Sequence, residues 1–186
     1  MPMQYYKYLL FLRLICSLGL KRCSDQELNT DKTLGIGLPY QGGILFYLFQ
    51  EGDIGYVAGE WHGLIVAPSD QSTEVEWGCY GARIKGANRT AIGTGAQNTL
   101  AMLADCSEAG IAARVCDELV LEGYDDWFLP SKDELNLLYL NKDAMSGFGN
   151  FYYWSSTEHI ITTHAWFQHF NVGNQDYNQK YTTQYV

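Results

Sequence analysis

Three of the chain's four histidines, His159, His164 and His169, recur every five residues. Imidazoles in a cluster invite a transition metal. The sequence around them alternates like a β-strand, however, and residues five apart on a strand point to opposite faces, so His164 and His169 diverge. No metal is expected there. Five cysteines, Cys16, Cys23, Cys79, Cys106 and Cys116, form no CxxC pair and have no histidines at zinc spacing. Cys106 could bridge Cys116, one of them could reach Cys79, or all could be buried free thiols. Neither Cys106 nor Cys116 has a neighbouring base or cation that would make a reactive thiolate. Ser155 and Ser156 invite a Ser-His-Asp reading, but no nucleophile elbow surrounds them. Asp125 and Asp126 read as a solvated turn rather than an ion cradle. "GTGAQNTLA" has glycines before a helix and lacks the lysine of a phosphate loop. The expectation is therefore no catalytic residue, no metal and no cofactor.

What the chain does concentrate is contact chemistry. Residues 165–186, "AWFQHFNVGNQDYNQKYTTQYV", hold many aromatic and amide groups and two charges, Asp176 and Lys180. In "HAWFQHFN", Trp166, Gln168 and Phe170 fall on one side of a strand, and Phe167, His169 and Asn171 on the other. Trp166 and Phe170 are expected in the core, which turns Phe167 and His169 outward. Exposed rings side by side point to a ligand. Tyr, Phe and His bring large contact area at low entropy cost, while Asn and Thr adapt their hydrogen bonds. The alphabet is also biased. Free change of both adenines in the Asn codon AAC reaches every residue type except Lys, Glu, Gln, Met and Trp. His159, Ile160, Ile161, Thr162, Thr163, His164, Phe167, His169, Val172, Asp176, Tyr177, Tyr181, Thr182 and Thr183 all lie in the reachable set.

The elements that must position these groups come from the whole 186-residue chain, a length suited to one domain. Apolar residues make up 47% and charged residues 18%, enough for a core. A net charge of −9, with no basic patch, excludes nucleic acid as the main partner and disfavours a polybasic membrane tether. Residues 4–20, "QYYKYLLFLRLICSLGL", read as an export leader, too short and too interrupted by Arg13 to span a bilayer comfortably. Neither Cys16 nor Cys23 has the small preceding residues of a lipid-attachment site. The expected division is a leader and linker over residues 1–35 and a domain over residues 36–186.

Within that domain, "GGILFYLF" (42–49) and "HGLIVAP" (62–68) predict buried strands, and "VEWGC" (75–79) a shorter one. "AQNTLAMLADC" predicts a helix from Ala96 with Leu100 and Leu103 on one side. Ile111, Val115 and Leu119 predict a second, ended by Gly123. "PSKDELNLLYL" has Ser131 as N-cap and Glu134 as the other half of a capping box, with Leu135, Leu138 and Tyr139 as the apolar stripe. "FYYWSSTE", "HAWFQHFN" and "YNQKYTTQYV" then predict three strands, giving an α+β domain with an antiparallel C-terminal half.

The motifs "YDDWFLPSKDELNLLYLNKDA", "YYWSSTE", "AWFQHF" and "GNQDYNQKY" resemble the Lcl C-terminal domain family, named for a collagen-like bacterial adhesin, and the variable proteins of diversity-generating retroelements. "GGILFYLFQEGD", "HGLIVAPSDQS", "WGCYG", "TAIGTGAQNT" and "CSEAGIAARVC" are similar to it too, so the resemblance runs from about Gly35 to Val186. It implies a C-type-lectin-like fold, with two or more helices on a mostly antiparallel sheet. It also implies adenine-directed rewriting of solvent-facing positions near the C-terminus. On that resemblance Trp154, Ser155, Ser156, Trp166, Gln168 and Phe170 are scaffold, and the fourteen positions named above face the ligand. The Glu-Pro-Asn and Trp-Asn-Asp triplets of calcium-dependent sugar lectins are absent. Relatives continue with an Arg-rich strand that pairs back to the domain's start, whereas this chain stops at Val186, so a truncated final strand is expected. The function implied is recognition of a protein or glycan on another cell or virus by an exported, cell-surface or secreted protein. The alternatives are a bacterial adhesin with a fixed glycan or glycosaminoglycan target, and a structural domain of a pilus or phage tail tip.

Overall fold

The apolar runs at 42–49 and 62–68 pair antiparallel, as their β-branched and aromatic content favours. A computed structural model describes residues 3–7, 35–145 and 147–186. Its elements are β1 (Met3–Lys7), β2 (Pro39–Tyr40), β3 (Gly43–Leu48), β4 (His62–Val66), β5 (Val75–Glu76), α1 (Gly95–Asp105), α2 (Ala112–Asp117) and α3 (Lys132–Leu140). A 3-10 turn at Lys142–Ala144 follows, then β6 (Tyr152–Glu158), β7 (His164–His169), β8 (Gln175–Gln179) and β9 (Thr183–Gln184). The fold is α+β, and among the described residues it contains three small antiparallel sheets, ordered β1-β4-β3-β2, β6-β7-β8 and β5-β9. No described helix is long and apolar enough to cross a membrane.

Strand alternation distributes the core. On β4, Leu64 and Val66 face a cluster with Phe46, Phe128, Leu135, Leu138, Tyr153 and Phe170, while Ile65 turns to Leu45 and Trp127. On β6, Tyr153 joins the first of these clusters and Trp154 a third, with Trp77, Met102, Ile111 and Cys116. β6 therefore stands as a wall between two interiors, which explains its near-complete burial from Tyr153 to Glu158. The capping box forms as expected: Ser131 Oγ accepts from Glu134 N–H, and Glu134 Oε2 accepts from Ser131 N–H at 2.7 Å.

Several expectations need correction. α1 does not bury a Leu100–Leu103 stripe. Leu100 is 64% exposed, and the buried face carries Asn98, Thr99 and Met102. Polar groups can sit there because each has a partner. Asn98 Nδ2 donates to Arg89 C=O (2.7 Å) and Ser156 Oγ (3.2 Å), and Thr99 Oγ1 accepts from Leu129 N–H (3.0 Å). The second helix stops at Asp117, so Leu119 lies beyond it. The third early strand is limited to Val75–Glu76, because the chain turns at Gly78, whose φ of 101° is a left-handed conformation that suits glycine. The final run is two strands rather than one: β8 pairs with β7, and β9 pairs with β5.

The last residues form β9 and its continuation. Val186 C=O accepts from Gln71 N–H (2.7 Å), and Val186 N–H donates to Ser72 C=O (3.0 Å). Gln4–Lys7, within the segment read as a leader, lie in β1 opposite β4. The rest of that leader, the linker before residue 35, Cys16 and Cys23 lie outside the described residues. Of the open cysteine pairings, Cys79 and Cys106 form the disulfide, and Cys116 is a buried free thiol.

Candidate functional site

The site grows from the last residue of β6. Glu158 is almost wholly buried, and its carboxylate accepts from Lys180 Nζ (2.7 Å), Arg83 Nη1 (2.8 Å) and Ile84 N–H (3.0 Å). Lys180 is equally buried. It also donates to Ala82 C=O (2.8 Å) and lies 4.5 Å from the centre of the Trp77 ring. Burial pushes the Lys180 ammonium below its ordinary pKa, while its bond to Glu158 pulls the other way. Removing a charge from water is tolerable here because each has hydrogen-bonded partners.

Arg83 carries this anchor outward. Its Nη1 donates to His159 C=O (2.9 Å) and its Nη2 to Ile160 C=O. The loop between β6 and β7 is closed by His159 N–H to His164 C=O (3.0 Å) and His164 N–H to Ile161 C=O (2.9 Å). A loop fixed at its backbone thus presents Ile160, 81% exposed, and the exposed Ile161 to solvent.

Beside the loop is a cluster of rings. His159 stacks on Tyr177 with centroids 4.1 Å apart, and Tyr177 meets His164 (5.5 Å) and Trp166 (5.7 Å) edge to face. Lys132 Nζ sits 4.4 Å from the Trp166 ring centre. Burial, then the neighbouring His164 and Arg83, hold His159 below the ordinary imidazole pKa. Its Nδ1 accepts from Ile161 N–H (3.1 Å), which leaves the ring proton of the neutral form on Nε2. An open groove of about 630 Å³ runs from this cluster to the 83–90 segment, lined by Lys85, Asn88, Thr90, His159, Ile160 and Trp166 among others. It sets the Trp166 ring and the Ile160 side chain beside the polar groups of Lys85, Asn88, Thr90 and His159.

The candidate residues do not form one surface. His159, Ile160, Ile161, His164 and Tyr177 gather at the loop. Thr162 and Thr163 are half-buried there, with Thr163 Oγ1 2.8 Å from His164 Nδ1. Phe167 and His169 project from the other face of β7. His169 stacks on Tyr152 (4.3 Å), and Phe167 is half-buried against Tyr152 and Trp154. Phe167 is therefore packed against the scaffold. Asp176 is exposed on β8, opposite Phe167, and Val172 is exposed in the β7–β8 turn. Tyr181 packs on Tyr80 (4.9 Å), next to the disulfide, with Thr182 and Thr183 following it. Trp166, placed with the scaffold by sequence, belongs instead to the ring cluster. α3 covers Gln168 with Asn136 and Phe170 with Tyr139, and meets Trp166 through the Lys132 ammonium. Gln168 is fully buried, bonded to Asn136 Oδ1 (3.0 Å) and Gly173 C=O (3.1 Å).

Arg83, Lys85, Asn88 and Thr90 were not among the candidates. Their only sequence signal is two cations in "GARIKG", within a chain holding 12 basic residues, and nothing local ties them to residues some seventy positions later. The serines are structural: Ser155 Oγ donates to Trp166 C=O (2.9 Å), and Ser156 Oγ accepts from Asn98. Cys79 and Cys106 lie close to the Glu108 carboxylate, but their sulfurs are joined to each other. Asp125 and Asp126 are both exposed.

No curated protein matches this sequence. The family model of the Lcl C-terminal domain matches residues 67–186, which contain the buried ion cluster, the ring cluster and the groove. With well over half of its length matched, the chain belongs to the Lcl C-terminal domain family.

Proposed function

We propose that this protein recognises a protein or glycan on another cell or virus, through the β6–β7 loop, the ring cluster and the adjoining groove. Family membership suggests a surface or adhesin-like role. The observation that carries the reading is the contrast across Arg83: a buried Glu158–Lys180 pair on one side, and the exposed Ile160 and Ile161 on the other. Side chains hung from a backbone that is held independently can be exchanged at little cost in stability. In this reading the exposed positions are diversified by a retroelement on a C-type-lectin-like scaffold, binding needs no cofactor or metal, and the protein is not an enzyme. The Cys79–Cys106 disulfide supports export to an oxidising compartment, which fractionation tests directly.

The deciding experiment is to read the gene and its flanks. A near-copy with AAC codons at the loop and Tyr177 positions, beside a reverse transcriptase gene, is the expected result. Absence of any such copy refutes diversification. The second reading, an adhesin with a fixed glycan or glycosaminoglycan target, draws support from the groove's Lys85 and Trp166, residue types that AAC cannot reach. A glycan array that includes glycosaminoglycans separates the two.

A further inference from the structure

β8 ends the β6-β7-β8 sheet, so among the described residues no strand lies along its outer side. The register pairs Ala165 with Asn178 and Phe167 with Asp176, while Lys180 N–H reaches Thr163 C=O and His169 N–H reaches Asn174 C=O. Antiparallel pairing alternates, so the backbones of Asn178 and Asp176 turn toward β7 and those of Tyr177 and Gln179 turn out to the open edge. An outward row of N–H and C=O groups is a template for another strand.

Here both donors of Tyr177 and Gln179, and one of their acceptors, are already occupied. Tyr177 N–H donates to Asp176 Oδ1 (2.8 Å), and Gln179 N–H donates to Asn178 Oδ1 (2.8 Å). Gln179 C=O accepts from Thr182 N–H (2.9 Å). Asp and Asn side chains are short enough to bond neighbouring backbone groups in place of sheet partners. Two such residues at alternate positions cap both of these outward donors.

We propose that Asp176 and Asn178 guard the β8 edge against strand pairing with a second copy of this chain. An antiparallel copy of the same edge presents the same outward groups and is the most directly matched occupant. To dock, it must first break both side-chain caps. The inference does not depend on what the ring cluster binds, and it takes Asp176 as a fixed residue rather than one of the exchanged positions.

The test uses the full chain. In sedimentation velocity over a concentration series, the Asp176→Ala/Asn178→Ala variant self-associates with a constant at least about tenfold above the unmodified protein's. Asp176→Asn, which keeps an oxygen acceptor, does not. In amide exchange by NMR, Asp176→Ala speeds exchange at Tyr177 and Asn178→Ala speeds it at Gln179, each without the other. Unchanged association and unchanged exchange in the double variant overturn the proposal. Equal association in Asp176→Asn assigns the effect to charge and overturns the hydrogen-bond guard. The two single variants keep the exchange reading decisive if the double variant does not fold.

Discussion

Glu158 Oε1 and Lys180 Nζ meet at 2.7 Å with neither side chain exposed to solvent. They join the end of β6 to the turn after β8. Losing one partner strands the other charge in the interior. Lys180→Met is expected to lower unfolding free energy by about 3–5 kcal/mol in urea denaturation. The double variant with Glu158→Gln should cost less than the two single losses added together. Additive losses would show that the pair is not coupled.

Arg83 is exposed and shares Glu158 with Lys180, so its role is to hold the loop rather than the fold. Arg83→Ala should cost no more than about 2 kcal/mol, since Lys180 still neutralises Glu158. Amide exchange over residues 159–163 should rise while that of β6 stays unchanged. A uniform rise across both would place Arg83 in the global fold.

Burial raises the Glu134 carboxyl to about 7, against the N–H groups of Ser131, Gly93 and Gly95 that favour its charge. The folded state thus holds a proton that the unfolded state releases at the ordinary carboxylate pKa. Glu134's contribution is full below that ordinary value and is lost as pH rises to about 7. A carboxyl carbon resonance titrating near neutrality is the expected signature, and titration below the ordinary value would contradict it. Glu134→Gln loses an acceptor of backbone bonds and should cost about 1–3 kcal/mol.

Cys79 and Cys106 are 27 residues apart, and their bridge fastens the turn after β5 to the end of α1. Cys79→Ser/Cys106→Ser should lose about 3–4 kcal/mol, on the loop entropy released in the unfolded chain. Burial pushes the Cys116 thiol up to about 12. It should therefore resist thiol reagents until denaturant is added, and rapid labelling of the native protein would refute its burial.

The fourteen candidate positions should divide by burial in a stability scan. Exposed Ile160, Val172 and Tyr181 should accept polar residues within about 0.5 kcal/mol. Phe167→Ser should cost about 1–2 kcal/mol because its ring packs on Trp154. Trp154→Ala, at the centre of the core, should cost about 3–5 kcal/mol. Equal tolerance at Phe167 and Ile160 would mean that Phe167 is not part of the scaffold.

Local signals in the sequence determined the local structure. Short apolar runs marked β3 and β4, alternation marked β6 and β7, and Ser131 with Glu134 marked the start of α3, because each depends on residues within a few positions. Alternation also separated Phe167 from Trp166. It could not say which side is covered, because cover comes from distant chain: α3 buries Gln168 and Phe170 but lays only the Lys132 side chain over Trp166, and the Trp77 layer takes part of Phe167. The polar inner face of α1 was hidden for the same reason, since Asn98 and Thr99 become core residues only when Arg89, Leu129 and Ser156 supply their hydrogen bonds. The choice of Cys79 over Cys116 as partner for Cys106, and the union of Arg83, Glu158 and Lys180, likewise required tertiary structure. A buried charge is stable only where its counter-charge arrives, and that arrival depends on how the whole chain packs.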